Sequence, residues 1–98
     1  MALHLVELYL NVDSPERAKT AVAAASGLAS GNLPPGALLV AGPWVSNEEA
    51  KLFFVLDLQD HSLTVGHFWP GMAHGLIAKR RLTPIVELKQ LQEVVEKL

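Results

Sequence analysis

The hydrophobic positions along the chain follow two periods, which predict four strands and three helices. Dense runs of strand-forming residues mark the strands, and apolar residues three or four apart mark the helices. The predicted strands cover residues 3–10, 37–45, 51–58 and 78–88, and the predicted helices cover residues 15–28, 61–69 and 88–98. The order β-α-β-β-α-β, followed by a helix, is that of the ferredoxin-like split βαβ motif. We therefore expect a single α+β domain over residues 1–98.

Local signals predict where the helices begin and end. Ser14-Pro15-Glu16 provides a capping hydroxyl, a proline at the first helical position and an acid near the helix N-terminus. Asp60 can cap the second helix, which should end or kink near Pro70-Gly71. The last strand has an alternative interpretation, in which Thr83-Pro84 begins a longer final helix.

Two prolines predict the order of the strands in the sheet. Pro43 lies in the second predicted strand and Pro84 in the fourth. Proline cannot donate a hydrogen bond to a neighbouring strand, so it is confined to edges and bulges. The ferredoxin-like order 4-1-3-2 places both of these strands at the edges of an antiparallel sheet, in agreement with this rule.

The first and third predicted strands are apolar on both faces, and this predicts a partner. Alternation in the first strand places Leu3, Leu5, Glu7 and Tyr9 on one face and His4, Val6, Leu8 and Leu10 on the other. Two helices can cover only one face of a four-stranded sheet. A second copy related by a two-fold axis would cover the other face. We expect a homodimer, or a higher oligomer built from dimers, of the dimeric α/β-barrel type.

Four segments of the chain resemble a known family. They are GALLVAGP (36–43), FFVLDLQD (53–60), WPGMAHGLI (69–77) and LTPI (82–85). Together they are similar to the C-terminal half of YCII-related domains, a family of the dimeric α/β-barrel superfamily. The resemblance implies that fold and a dimer. It does not imply the family's His-Asp dyad, because the first helix has no histidine and Trp69 precedes Pro70.

Composition narrows the classes of function. The net charge of −2 provides no basic surface for nucleic acid. The chain has no cysteine, which excludes disulfides and thiolate metal sites and fits a cytoplasmic location. No apolar run approaches the roughly 20 residues of a membrane span, and the N-terminus lacks the basic region of a signal peptide. Charged residues make up only 18% of the chain, against about 25% in typical domains, which agrees with a surface that meets another chain.

His67 and His74 are the candidate catalytic residues. They flank Trp69-Pro70-Gly71 and lie seven residues apart, about 10 Å along a continuous helix, which is too far for both to bind one metal ion. We therefore predict no metal site. A structural or surface role is favoured for both histidines, and a general base is the functional alternative.

Carboxylates on the central strands define a candidate ligand site. Glu7 and Asp57 need partners there, and an arginine of the neighbouring fourth strand, Arg80 or Arg81, can pair with Glu7. The predicted ligand-binding residues, between the sheet and the second helix, are Glu7, Tyr9, Asp57, His67 and Arg81. A salt bridge at a strand end is the simpler interpretation and is favoured.

Three functions fit this pattern. The first is binding of a small organic ligand in a cavity between the sheet and the helices. The second is a cofactor-free enzyme, such as a monooxygenase, isomerase or lyase, acting on a small organic substrate. The third is a purely structural oligomer assembled through the terminal helix. The chain lacks phosphate-binding loops and serine-nucleophile motifs, so no cofactor is predicted.

Overall fold

A computed structural model describes residues 2–98 as an α+β protein with a four-stranded antiparallel sheet and three helices. The strands are β1 (Ala2–Leu10), β2 (Ala37–Val45), β3 (Lys51–Leu58) and β4 (Ile77–Ile85), and the helices are α1 (Pro15–Ala29), α2 (Leu63–Ala73) and α3 (Leu88–Glu96). This order of elements is the one that the hydrophobic pattern predicts.

The strand order across the sheet is β2-β3-β1-β4. Counted from the opposite edge, the same sheet runs β4-β1-β3-β2, so each strand has the neighbours expected from the sequence. The central strand β1 pairs antiparallel with both β3 and β4. Pro43 and Pro84 lie on the two edge strands, as the proline rule requires.

Helix α1 begins at the predicted capping sequence. The Ser14 side chain accepts a hydrogen bond from the backbone N–H of Arg17 at 3.1 Å, and Pro15 occupies the first turn. Leu28, near the end of the helix, is buried in the core. After the helix, Gly31 takes a φ of +85°, a left-handed conformation that favours glycine.

Helix α2 does not end at Pro70-Gly71 but continues to Ala73, with Pro70 inside it. A proline inside a helix removes one backbone hydrogen bond but leaves its own carbonyl free to accept one. The carbonyl of Pro70 accepts a hydrogen bond from the N–H of His74 at 2.9 Å. Phe68 and Met72 on either side of the proline pack on the core, and their burial offsets the lost bond.

Strand β4 ends three residues earlier than predicted, at Ile85, and α3 begins at Leu88. The alternative of a longer final helix from Thr83-Pro84 is wrong. Thr83 lies opposite Leu5, and Pro84 lies opposite His4, so both residues belong to the sheet.

The core lies between the sheet and the helices α1 and α2. Alternate residues of the central strands point into it, and Phe54 on β3 has 0% exposure. The buried hydrophobic residues are Val6, Leu8, Leu28, Ala37, Leu52, Phe54, Leu56, Leu58, Phe68 and Ile77.

The other face of the sheet, called here the open face, has no helix across it among residues 2–98. Its residues on the central strands are half-buried by their neighbours, while Leu38 and Trp44 on β2 are 59% and 48% exposed. The central residues of the open face are Leu3, Leu5, Glu7 and Tyr9 on β1 and Lys51, Phe53, Val55 and Asp57 on β3. The predicted uncovered apolar face is therefore present in the single chain.

Replacing Phe54 with Ala should lower the free energy of unfolding by about 3–5 kcal/mol, because the change leaves a cavity at the centre of the core. Urea unfolding followed by circular dichroism measures this difference. Lys19→Ala, on the exposed side of α1, is the control and should change it by less than about 0.5 kcal/mol. Equal losses in both variants would contradict this assignment of the core.

Candidate functional site

The five predicted ligand-binding residues lie on opposite faces of the sheet. Glu7, Tyr9, Asp57 and Arg81 belong to the open face. His67 is on α2, and it lines a cavity on the helix side together with Leu8, the neighbour of Glu7 in β1. A single site between the sheet and α2 that contains all five residues is therefore not formed within the chain.

The partner of Glu7 is Lys51, which the sequence reasoning did not identify. The Lys51 Nζ donates a hydrogen bond to the Glu7 Oε2 at 2.8 Å, and both side chains are largely buried. This hydrogen bond, with the positive charges of Lys51, Arg81 and Lys79, holds the pKa of Glu7 below its ordinary value of about 4.5. Of the two expected partners, Arg81 lies opposite Glu7 on β4 and contributes through its charge. Arg80 instead donates a hydrogen bond to the Thr64 hydroxyl oxygen at 2.9 Å.

Tyr9 lies between two lysines on the open face. The Nζ of Lys51 is 5.5 Å from the centre of the tyrosine ring, and that of Lys79 is 5.3 Å from it. Both distances fall within the range of cation–π attraction. The strand register could have identified both lysines from the sequence, because Lys51 and Lys79 lie directly opposite Tyr9 on β3 and β4.

Asp57 is separate from this charged group. It lies opposite Leu3 on β1 and Leu38 on β2, four residues from the position of Glu7, or about 13 Å along the strands. Its Oδ1 is buried and has no hydrogen-bond partner within residues 2–98. The open face thus has a charged end around Glu7 and an apolar end around Leu3, Leu38 and Val55, where Asp57 holds an unpaired acceptor.

A cavity of about 160 Å³ lies between the sheet and the two helices α1 and α2. Apolar side chains dominate its walls, including Leu8 and Leu52 from the central strands and Phe68 from α2. The polar side chains that reach it are Asn32 and His67. This cavity has the location predicted for a ligand, and His67 is the one member of the predicted set that lines it.

His67 and His74 occupy different environments. Burial lowers the pKa of His67 below its ordinary value of about 6.5, so the ring is neutral at pH 7, and it packs edge-on against Phe68 at 5.0 Å between ring centres. His74 is exposed at the end of α2 and is not among the residues that line the cavity. No group of three or more metal-ligating side chains occurs within the described residues 2–98.

Comparison of the chain with protein-family models, curated proteins and solved structures finds no match. Every helix in the part of the chain that the structure describes is too short or too polar to span a lipid bilayer.

The low pKa of Glu7 predicts a pH-dependent contribution to stability. A carboxyl group whose pKa is lower in the folded state stabilises the fold above its unfolded pKa, and this stabilisation is lost as the pH falls through the folded pKa. The stability difference between the wild type and Glu7→Gln should therefore be full above about pH 5 and shrink towards pH 3.

Urea midpoints of the two proteins between pH 3 and pH 7 test this expectation. Glu48→Gln, in the exposed turn between β2 and β3, removes the same charge away from the Lys51 ammonium and is the matched control. The same pH-dependent difference in both variants would show that the effect comes from net charge and not from the Glu7–Lys51 pair.

Proposed function

We propose that this protein binds a small, mostly apolar organic molecule in the cavity between the sheet and helices α1 and α2. The observation that carries the proposal is the cavity itself, about 160 Å³ in volume with Asn32 and His67 as its polar groups. An apolar cavity of about 150 Å³ in another protein is known to hold benzene. The volume therefore suits a molecule with a single ring.

The two polar side chains favour a ligand with one hydrogen-bonding group. A neutral imidazole can accept one hydrogen bond and donate another, and the Asn32 amide can do both. A phenol-like molecule would place its ring among the leucines and its hydroxyl beside His67 or Asn32. A charged ligand is disfavoured, because the same surroundings that keep His67 neutral would penalise its charge.

Small residues on the helices support the proposal, because they leave the space open. Ala21 and Ala24 of α1 and Gly71 of α2 line the cavity. A Cβ atom added to Gly71 would lie 2.8 Å from the Cδ1 of Ile77, so a larger residue at this position would crowd the wall. Arg17 of α1 donates a hydrogen bond to the carbonyl of Gly75, which ties α1 to the turn after α2.

We also propose that the molecule is a homodimer of the dimeric α/β-barrel type, of which YCII-related domains are one family. The support is the open face, where Leu38 and Trp44 are about half exposed and which no helix of residues 2–98 covers. A second copy of the chain carries the same apolar face, and a dimer with two-fold symmetry buries both faces against each other. The lack of cysteine fits a cytoplasmic location for this dimer.

His67 supports a second candidate function, a cofactor-free enzyme. A histidine that is neutral at pH 7 and lines an apolar cavity can take a proton from a bound substrate. His74 does not share this environment. A purely structural oligomer is the function that remains if the cavity binds nothing.

Phenol is the probe for the cavity. We expect one phenol molecule to bind per chain in a saturable manner, and ¹H–¹⁵N NMR titration measures this binding. Ala21→Leu should weaken binding at least tenfold, because the added carbons occupy the cavity. The control is Val22→Leu, which enlarges the next side chain of α1. Val22 is 66% exposed, so this change should leave phenol binding unchanged. Equal phenol affinity in the wild type and Ala21→Leu would overturn the proposed site.

Native mass spectrometry tests the dimer. The wild-type chain should give a dimer, and Val55→Glu should give a folded monomer, because it places a charge on the apolar end of the open face. Val22→Glu, on the solvent side of α1, is the control and should remain a dimer. A wild-type monomer would refute the proposed assembly and leave the cavity proposal standing.

A further inference from the structure

Helix α3 has no buried residue, and Lys89 and Gln90 of its first turn border a groove with Ala2 and Leu3 of β1. The radius of gyration is 15.1 Å, against about 13 Å for a compact chain of this length. The longest dimension, 53 Å, exceeds the roughly 30 Å of a nine-residue strand by more than the length of α3. The helix therefore extends the molecule beyond the sheet.

One side of α3 is apolar and uncovered. At 100° per residue, the apolar side chains fall in an arc of about 120°. They are Leu88, Leu91, Val94, Val95 and Leu98, all more than half exposed. The uncharged Gln90 and Gln92 border the arc, and the charged side chains lie away from it.

The helix needs a surface to pack against. An isolated helix shorter than about 12 residues is marginal in water, and α3 has nine residues. Its arc is wider than the narrow seam of a two-stranded coiled coil, and the helix is shorter than two heptads. A sheet face therefore fits it better than a second α3 does.

We propose that α3 of each chain packs on the apolar end of the open face of a second copy, around Leu38 and Val55. This inference rests on the proposed dimer and names the segment that completes it. Both surfaces are apolar and exposed, and a two-fold axis covers both by exchange.

The unpaired acceptor of Asp57 supports this placement. Its buried Oδ1 lies at the apolar end of the open face, beside Leu38. The side-chain amides of Gln90 and Gln92 border the apolar arc of α3 and are hydrogen-bond donors. The exchange thus brings donors next to the Asp57 carboxylate, whose Oδ1 has no hydrogen-bond partner within residues 2–98.

The area of the interface also favours the exchange. Four strands of about nine residues make a face of about 19 by 30 Å, or roughly 570 Å². Stable interfaces bury about 800 Å² per partner. Helix α3, about 14 Å long and 10 Å wide, adds about 140 Å² to each side and brings the area near that value.

Site-specific crosslinking tests the exchange. Because the chain has no native cysteine, only the introduced cysteines can react. A tagged chain with Leu91→Cys is co-expressed with an untagged chain with Leu38→Cys and treated with a short bismaleimide. We expect a crosslinked mixed dimer at least fivefold more abundant than with Glu93→Cys, which lies on the charged side of α3. Leu38 lies on the edge strand β2. The opposite edge strand β4, which is followed by α3, is about 14 Å away across the sheet.

Each other outcome overturns the exchange. Crosslinking of Leu91→Cys chains to one another would show that two α3 helices pair. Crosslinking within a chain that carries both cysteines would show that α3 folds back on its own sheet. A dimer by native mass spectrometry with no mixed crosslink would refute the exchange but keep the dimer, whereas a wild-type monomer would refute both.

Discussion

The arrangement of this molecule depends on one constraint: the sheet carries apolar side chains on both faces, and within residues 2–98 helices lie over only one of them. Val6 and Leu8 of β1 point towards α1 and α2, while Leu3 and Leu5 point the other way. Apolar surface left in water costs free energy in proportion to its area. One face of the sheet therefore encloses the core and the cavity, and the other face is left without a covering helix within residues 2–98.

The open face is organised along its length by the register of the strands. The pairing of β1 with β3 and β4 places Tyr9 between Lys51 and Lys79 and brings Lys51 to Glu7, which concentrates charge at one end. The other end carries aliphatic side chains and the unpaired oxygen of Asp57. Glu7 and Lys51 form an ion pair within the chain. A partner that covers the charged end therefore need not supply a counter-ion for Glu7.

Much of the fold could be predicted from the sequence, because its signals are local. The cap at Ser14, the strand periods and the edge prolines Pro43 and Pro84 each depend on residues close together in the chain. The continuation of α2 past Pro70 could not be predicted, since it depends on the packing of Phe68 and Met72 against distant strands.

The candidate site was harder to predict, because alternation shows which residues share a face but not which face meets the helices. Both faces of β1 are apolar, so the pattern alone allows Glu7 to point towards α2 or away from it. The structure places Glu7 away and His67 on the helix side, which separates the predicted set. The choice of Lys51 over Arg81 as partner of Glu7 likewise depends on side-chain reach across neighbouring strands.

The cavity follows from the distribution of large and small residues on the two helices. Leu28 of α1 and Phe68 of α2 are buried and hold the helices against the sheet, while Ala21, Ala24 and Gly71 face the space between. Helices anchored by large side chains cannot move close enough for the small ones to fill the gap. Because protein interiors otherwise pack densely, a gap of about 160 Å³ bordered by a neutral histidine is the feature of this fold on which the proposal of a ligand rests.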